Sequence, residues 1–345
     1  MKTMTIYDVA QKAGVSIATV SKVINRNGRI SEKTRERIMQ IMAEMGYVPN
    51  LVASALSSKR TYMIGLLLPD ISNPYFAELA RNIEDRAHEL GYNVVICNTD
   101  NQIDKESDYL TFLQQKSVDG ILMATGLAHP QSLGLILEKK LPIALIARDA
   151  PQLAVNSVYV DDFMGGYLAA SHLLSLGHRR IGIIVESMEL ESSRQRLKGY
   201  RSALDEFHCP YDEQWVSVSD FSIVSGIEVA GRLLDRKIRP TAIFACNDLL
   251  AIGSIQAARS RGISVPEGLS VVGFDNTFLC GMVDPALTTV GQPIRELARN
   301  AVDLLHRQLL GEEQPKQRIV LLPELVLRKS TQRYGSFETV GDINL

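Results

Sequence analysis

The stretch Val9–Asn25, VAQKAGVSIATVSKVIN, consists of two amphipathic runs with a glycine between them. Apolar residues recur at helical spacing in both runs. Gly14 has no Cβ and suits the tight turn between two helices, while Ser16 can cap the second one. A third amphipathic run occupies residues 31–46. The sequence therefore predicts three short helices, with the first two arranged as a helix-turn-helix.

Charge is distributed unevenly along the 345 residues. Residues 1–60 hold ten Lys and Arg against four Asp and Glu, a formal charge of +6. The remainder holds 27 Lys and Arg against 35 Asp and Glu, a charge of −8, so the whole chain carries −2. A basic head on an acidic body is typical of a phosphate-binding module joined to a separate domain.

Several functional classes find no support in the sequence. No run approaches the roughly 20 apolar residues of a membrane span, and no secretory signal opens the chain, which indicates a cytoplasmic protein. A secreted binding protein would also leave the basic head unexplained. Neither the six histidines nor the four cysteines have metal-ligand or redox spacing, and nucleotide-binding and nucleophile motifs are absent. We expect no enzyme, no metal and no cofactor.

The string 9–25 resembles, nearly residue for residue, the DNA-binding module of the lac-repressor (LacI/GalR) family. The resemblance implies that Ile17, Ala18 and Lys22 are the main base readers in the major groove. Their chemistry agrees, because a lysine donates to guanine acceptors and apolar side chains contact a thymine methyl. Seven further residues are short donors or cations placed to contact phosphates: Thr5, Ser16, Thr19, Ser21, Asn25, Arg29 and Thr34.

Residues 47–60 form the predicted hinge. A proline-containing break precedes Leu51–Ser58, a run that is helix-capable but too short to be stable alone. In the family this segment folds when two copies meet on DNA. The resemblance implies that Leu56 wedges into the minor groove, with Ala53 at the same contact, and kinks a near-palindromic operator at a flexible central step. The alternative is that Leu56 packs on its own domain.

From residue 62 onward, short apolar runs alternate with helix-like segments. The alternation predicts right-handed crossovers and two doubly wound α/β sheets. Ligands of such sheets bind at the carboxyl ends of the strands. The predicted strands are 63–69, Asn93–Cys97, Gly120–Ala124, Ile143–Ala147, Arg180–Val185, Ala242–Cys246 and Ser270–Phe274.

Polar and aromatic residues follow these runs. Carboxylates, amides and guanidinium groups pair with sugar hydroxyls, and aromatic rings cover the apolar face of a sugar; each residue alone is as readily a cap or turn former. Residues 62–330 resemble the periplasmic sugar-binding-protein fold of LacI/GalR sensors, which implies a sugar or sugar-derivative effector. Matching to ribose-type binding proteins assigns ligand contacts to Asn73, Tyr75, Phe76, Asn101, Arg148, Arg196, Phe221, Asn247, Asp275 and Gln292.

One position departs from the family pattern. An Asp usually precedes the equivalent of Arg148, but Ala147 stands here. The change removes a carboxylate that would hold ring hydroxyls. We therefore expect either a modified sugar or weak binding.

The chain resembles the Gram-positive catabolite-control subgroup through the segments 70–73, 78–81 and 273–277. That subgroup responds to a phosphorylated phosphocarrier protein, which needs basic residues on its partner. Phe278 and Asp284 replace two expected arginines. An acid facing a phosphoserine is repulsive, so we expect a sugar-responsive regulator and keep the phosphocarrier protein as the alternative.

The tail after residue 331 lacks the leucine heptads of a helical tetramer bundle, which predicts a homodimer on a palindromic operator. Effector binding is expected to close the cleft between two lobes, with the sign of the DNA response left open between inducer and co-repressor. The resemblance implies these limits: DNA-binding domain 1–46, hinge 47–60, core 61–331 (N-subdomain 61–161 and 291–321, C-subdomain 162–290 and 322–331) and tail 332–345.

Overall fold

The computed structural model describes residues 4–24, 28–47, 60–125, 141–150, 153–312 and 315–335. The N-terminal part is a cluster of three helices. These are α1 Ile6–Ala13, α2 Ile17–Ile24 and α3 Glu32–Glu44.

A capping box begins α1. The Thr5 amide donates to the Asp8 carboxylate at 2.8 Å, and the Asp8 amide donates to the Thr5 hydroxyl at 3.4 Å. Gly14 follows the helix at φ +63°, a left-handed conformation that glycine adopts without a Cβ penalty. Val20 and Ile38 are among the buried residues that hold the three helices together. The predicted helix-turn-helix is confirmed.

Two α/β lobes follow the head. The first passage of the chain gives β1 Met63–Leu68, α4 Pro74–Glu89, β2 Asn93–Asn98, α5 Ile103–Gln115, β3 Gly120–Met123, β4 Ile143–Ile146 and β5 Asn156–Val160. The second gives α6 Asp162–Ser175, β6 Ile181–Val185, α7 Glu191–Glu206, β7 Val216–Val218, α8 Ile223–Leu234, β8 Ala242–Ala245, α9 Asp248–Arg259, β9 Ser270–Asp275 and β10 Thr288–Gly291. The last described elements are α10 Ile294–Leu309, β11 Arg318–Leu321 and β12 Glu324–Val326.

The N-lobe is built on a parallel sheet of six strands in the order β11-β5-β4-β3-β1-β2. Side chains of β1 alternate between its two faces: Leu66 packs in the core under α4 and α10, and Leu67 packs in the core under α5. Because helices cover both faces, the central strands β1, β3 and β4 are continuous apolar runs, which is why the sequence revealed them.

The C-lobe repeats the plan with the order β12-β10-β9-β8-β6-β7. Its strands are parallel except for β12, which pairs antiparallel to β10. Phe244 and Val272 are buried on one face of the sheet, and Ile243 and Val271 on the other. The predicted pair of doubly wound sheets is confirmed.

The chain crosses between the lobes three times, after β5, after β10 and after β11. These crossings lie beside the carboxyl ends of the strands in both sheets, so residues from both lobes meet there. The domain limits expected from the sequence remain predictions. Among the described helices, none is long and apolar enough to span a bilayer.

Two glycines allow α6 and α7 to pack backbone against backbone. A Cβ on Gly166 would overlap the backbone of Arg196, and a Cβ on Gly199 would overlap the carbonyl of Phe163. Main-chain atoms cannot rotate away as a side chain would. This close approach fixes the position of α7, the helix that carries Arg196 to the cleft described below.

We predict that Gly199→Ala lowers the free energy of unfolding by about 3 kcal/mol, because overpacking against backbone must push two helices apart. Urea unfolding followed by circular dichroism measures this loss. Gly281→Ala is the matched control, since a Cβ there meets nothing within 4 Å. Equal unfolding midpoints for both variants would contradict the packing described here.

Candidate functional site

A cleft of about 530 Å³, including its open mouth, lies between the lobes. Most of the predicted ligand residues line it. Those brought together are Asn73, Tyr75, Phe76, Arg148, Arg196, Phe221, Asp275 and Gln292.

Arg196 is the most heavily engaged side chain of the cleft. Its Nε donates to Asp162 Oδ1 at 2.8 Å, and its Nη1 donates to the carbonyl of Cys246. The guanidinium also stacks on Phe274, with its carbon 3.7 Å from the ring centroid. Burial alone would lower the pKa of Arg196, but Asp162 and Glu186 raise it above its usual value. Arg196 is therefore a fixed cation that pairs with Asp162 on the C-lobe wall of the cleft.

A chain of hydrogen bonds joins the two lobes through a crossing segment. Gln292 Nε2 donates to Asp275 Oδ1 at 2.7 Å, and the Tyr75 hydroxyl donates to Gln292 Oε1 at 3.1 Å. Asp275 stands at φ +111°, a conformation that non-glycine residues rarely adopt and that clusters at functional sites. Burial, followed by the neighbouring Asp248 carboxylate, raises the pKa of Asp275 well above its ordinary value. The chain links residues that contact the cleft from both sides.

Glu186 is the third carboxylate of the C-lobe wall, beside Asp162 and Asp275. Asn247 Nδ2 donates to its Oε1 at 2.6 Å, while Asn247 Oδ1 caps α9 by accepting from the Leu250 amide at 2.7 Å. Burial raises the pKa of the Glu186 carboxyl. Asn247, predicted as a ligand contact, is 2 % exposed and does not line the cleft. Its geometry suits the positioning of Glu186.

Aromatic side chains line the cleft from both lobes. Asn73 caps α4 by accepting from the Tyr75 amide at 3.0 Å, and this places Tyr75 and Phe76 at the cleft end of that helix. The two rings meet edge to face, with centroids 5.0 Å apart. Phe221 lines the cleft from the C-lobe. Such rings are suited to covering the apolar face of a ligand.

Asn101 is the predicted residue that lies apart from the cleft. It is exposed, with φ +53°, in the turn between β2 and α5, and it does not belong to the lining. The turn, with Asp100 also at positive φ, directs the chain into α5 instead of toward the C-lobe. The structure gives no geometrical support to its predicted role.

Seven lining residues were not predicted. Asp162 and Val160 flank the first crossing, after a strand that the sequence pattern did not reveal. Glu186 comes directly after the predicted strand 180–185, so the strand-end rule contained a signal for it. The others are Ala124, Ala147, Leu190 and Ser192.

The head presents one exposed helix face. Ile17, which is 40 % exposed, shares this face of α2 with the exposed Ala18 and Lys22. Val20 and Val23 are buried on the opposite face. The three predicted base readers therefore remain accessible together.

The predicted phosphate contacts are mostly engaged in helix capping. Thr5 caps α1, the hydroxyls of Ser16 and Thr19 are 2.9 Å apart, and Thr34 Oγ1 is 2.8 Å from Ser31 Oγ. Hydroxyls at helix N-termini lie where backbone amides also attract phosphate. Arg29 is exposed and Ser21 is half-buried, whereas Asn25, Ala53 and Leu56 lie outside the described residues.

Family models match both parts of the chain. Residues 5–50 match the model of bacterial regulatory proteins of the lacI family, and residues 170–331 match a periplasmic binding protein-like domain. The two matches correspond to the three-helix head and to most of the C-lobe with its crossings.

Relatives match nearly the whole chain. HTH-type transcriptional regulator DegA of Bacillus subtilis (strain 168) is 52 % identical over 96 % of this chain and 98 % of its own. Catabolite control protein A of Priestia megaterium is 37 % identical over 95 % of this chain and 99 % of its own.

Solved structures of regulators are also similar to this chain. The lac repressor dimer bound to operator and the anti-inducer ONPF is 30 % identical, with a TM-score of 0.84 over 96 % of this chain and 100 % of that one. A LacI family regulator of Enterococcus faecium with bound ribose is 34 % identical, with a TM-score of 0.72 over 79 % of this chain and 99 % of that one. The chain belongs to the LacI family of bacterial transcriptional regulators.

Proposed function

We propose that this regulator is a repressor that binds a palindromic operator as a homodimer and responds to a sugar or sugar-derivative effector in the cleft. The observation that carries the proposal is the hydrogen-bonded chain Tyr75–Gln292–Asp275, which joins both lobes at the cleft. A polyol held there contacts both lobes at once. Its binding energy therefore depends on how far the lobes are closed.

The composition of the cleft supports a polyol. Asp275 and Glu186 offer carboxylate acceptors for hydroxyl donors, and the aromatic rings suit the C–H face of a sugar ring. The related Enterococcus faecium structure holds ribose, which is consistent with this ligand class. The effector thus belongs among small hydroxylated compounds.

The head supports operator recognition. The exposed face of α2 offers one cation, Lys22, beside the apolar Ile17 and Ala18, a combination suited to guanine and to thymine methyl groups. Two copies of such a head, related by a two-fold axis, read two half-sites of a palindrome.

An apolar surface supports the homodimer. Phe278, 60 % exposed, and Met282, 74 % exposed, belong to the short segment after β9. Exposed large apolar side chains that lie close together are typical of interaction surfaces. This segment begins three residues after Asp275, so a movement of Asp275 at the cleft would displace it. Cleft closure would then alter dimer contacts and the spacing of the two heads.

The same surface does not favour the alternative partner, a phosphorylated phosphocarrier protein. Phe278 is apolar and the exposed Asp284 is acidic, whereas a phosphoserine is recognised by arginine or lysine. We therefore place control of DNA binding with the small effector.

A substitution at the cleft tests the proposal. We predict that Asp275→Asn lowers effector affinity at least tenfold and removes the effector response of operator binding, because an amide replaces a carboxylate acceptor with little change in shape. Fluorescence anisotropy of operator DNA, titrated with protein at several effector concentrations, measures both effects. Arg201→Met, on the exposed part of α7, is the control. An unchanged effector response in Asp275→Asn would contradict the proposal.

A further inference from the structure

Among the described residues that line the cleft, Arg148 is the one charged side chain that the N-lobe contributes. It follows β4 directly, and its Nε donates to the carbonyl of Ala124 at 2.8 Å. Among the residues that the structure describes, no carboxylate lies within ion-pair distance of its guanidinium. Arg148 has no charged partner there.

Each carboxylate that lines the cleft, in contrast, accepts a hydrogen bond from a protein side chain. Asp162 accepts from Arg196 at 2.8 Å, Glu186 from Asn247 at 2.6 Å, and Asp275 from Gln292 at 2.7 Å. Each anion of the cleft therefore has a protein donor. Arg148 on the facing wall has no carboxylate within ion-pair distance in the described part of the chain.

An unpaired guanidinium in a cleft is costly, because desolvation is not offset by a counter-charge. Burial lowers the pKa of Arg148, and Glu186, Glu106 and Asp162 counteract this effect through space without contacting it. A ligand anion at the Arg148 guanidinium would supply the missing charge. A carboxylate does so with two parallel N–H···O bonds, the geometry that the planar fork of arginine favours.

The residue before Arg148 explains why the guanidinium lacks a counter-charge. Ala147 stands at φ +57°, a conformation in which Asp and Asn are enriched and alanine is uncommon. The backbone is thus shaped for a residue such as Asp, but a methyl group occupies the position. No carboxylate from this position accompanies the guanidinium.

We propose that the effector is a sugar acid, a polyol whose single carboxylate binds Arg148 while its hydroxyls bind the C-lobe carboxylates. The inference rests on the proposed function and specifies the ligand class of the same cleft. A phosphate group fits less well, because its second negative charge would face Asp162, Glu186 and Asp275 while Arg196 is already committed to Asp162.

Calorimetric titration of the full-length protein tests the proposal with glucuronate, galacturonate and gluconate against glucose, galactose and glucose 6-phosphate. We expect at least one acid to bind tenfold more tightly than both its neutral counterpart and the phosphate ester. Arg148→Met should remove this preference. Ala147→Asp should reduce it at least tenfold while leaving the fold intact, because the new carboxylate occupies Arg148 and Asp tolerates the local backbone. Arg201→Met should retain the preference.

Acetate serves as a probe that does not depend on the identity of the sugar. Acetate at tens of millimolar should raise the Tm of the parent protein more than that of Ala147→Asp at equal ionic strength. A neutral sugar or phosphate ester that binds as tightly as every acid would overturn the proposal. The proposal would also be overturned if none of the sugar acids bound and acetate raised the Tm of the parent protein and of Ala147→Asp equally.

The two proposals fail in different ways. A sugar acid that binds through Arg148 without changing operator affinity would refute the proposed function and support the ligand class. A neutral sugar that changes operator affinity, with no advantage for its acid, would refute the ligand class and support the proposed function.

Discussion

Replacing Arg196 by methionine is expected to abolish effector binding and to lower the free energy of unfolding by about 3–5 kcal/mol. The Arg196 side chain is 8 % exposed, and its removal leaves Asp162, whose side chain is 15 % exposed, without its counter-charge. It also removes the stacking on Phe274 and the donor to the Cys246 carbonyl. Urea unfolding and calorimetric titration with effector measure the two losses.

Arg201→Met is the matched control for this prediction, because it removes an arginine from the same helix, α7. Arg201 is exposed and stacks on Tyr211, with its guanidinium carbon 4.2 Å from the ring centroid. We expect a loss below about 1 kcal/mol for such a surface contact. Equal losses in the two variants would contradict the assignment of Arg196 to a buried ion pair at the cleft.

Replacing Lys22 by alanine is expected to weaken operator binding by about 1–3 kcal/mol, roughly 5- to 150-fold, and to relax specificity at one base pair of each half-site. The side chain is exposed on the face of α2 that also carries Ile17 and Ala18. Anisotropy titrations with operators substituted at each position in turn identify the base pair whose identity no longer matters.

Lys12→Ala controls for the loss of positive charge in the head. Lys12 lies on α1, and its ammonium is 3.2 Å from the Glu44 carboxylate in a solvent-exposed ion pair. We expect a small change that is the same for every DNA sequence, because no base-reading contact is lost. If Lys22→Ala also weakened binding uniformly across all sequences, Lys22 would be a phosphate contact and not a base reader.

Most of the strands that the sequence revealed are buried on both faces; the exception is the edge strand β2, which has only one buried residue. Strands β1, β3, β4, β6, β8 and β9 are continuous apolar runs, and their observed ends differ from the predicted ones by a residue or so. The pattern did not reveal β7, β11 and β12, which are short edge strands with partly exposed residues. It also missed two buried strands that contain polar residues, β5 with Asn156 and Ser157 and β10 with Thr288 and Thr289.

These omissions carry over to the site. Asp162 was missed because the strand before it was missed, although it forms the ion pair with Arg196. The strand-end rule located five of the lining residues, because residue type and position after a strand can be read from the sequence: Asn73, Tyr75, Phe76, Arg148 and Asp275. Which side chains pair with one another cannot be read from the sequence, because the pairing depends on how the three crossings bring the lobes together. Asn101 shows the same limit, since a left-handed turn carries it away from the cleft.

The N-terminal head is expected to recognise a palindromic DNA sequence. Anisotropy titration of a palindromic duplex, selected by the protein from random DNA, against a scrambled duplex of the same composition tests it most directly. We expect binding about 10³-fold tighter or more to the palindrome, with two chains per duplex and an affinity that falls steeply as salt rises. Equal affinity for the two duplexes at every salt concentration would contradict it.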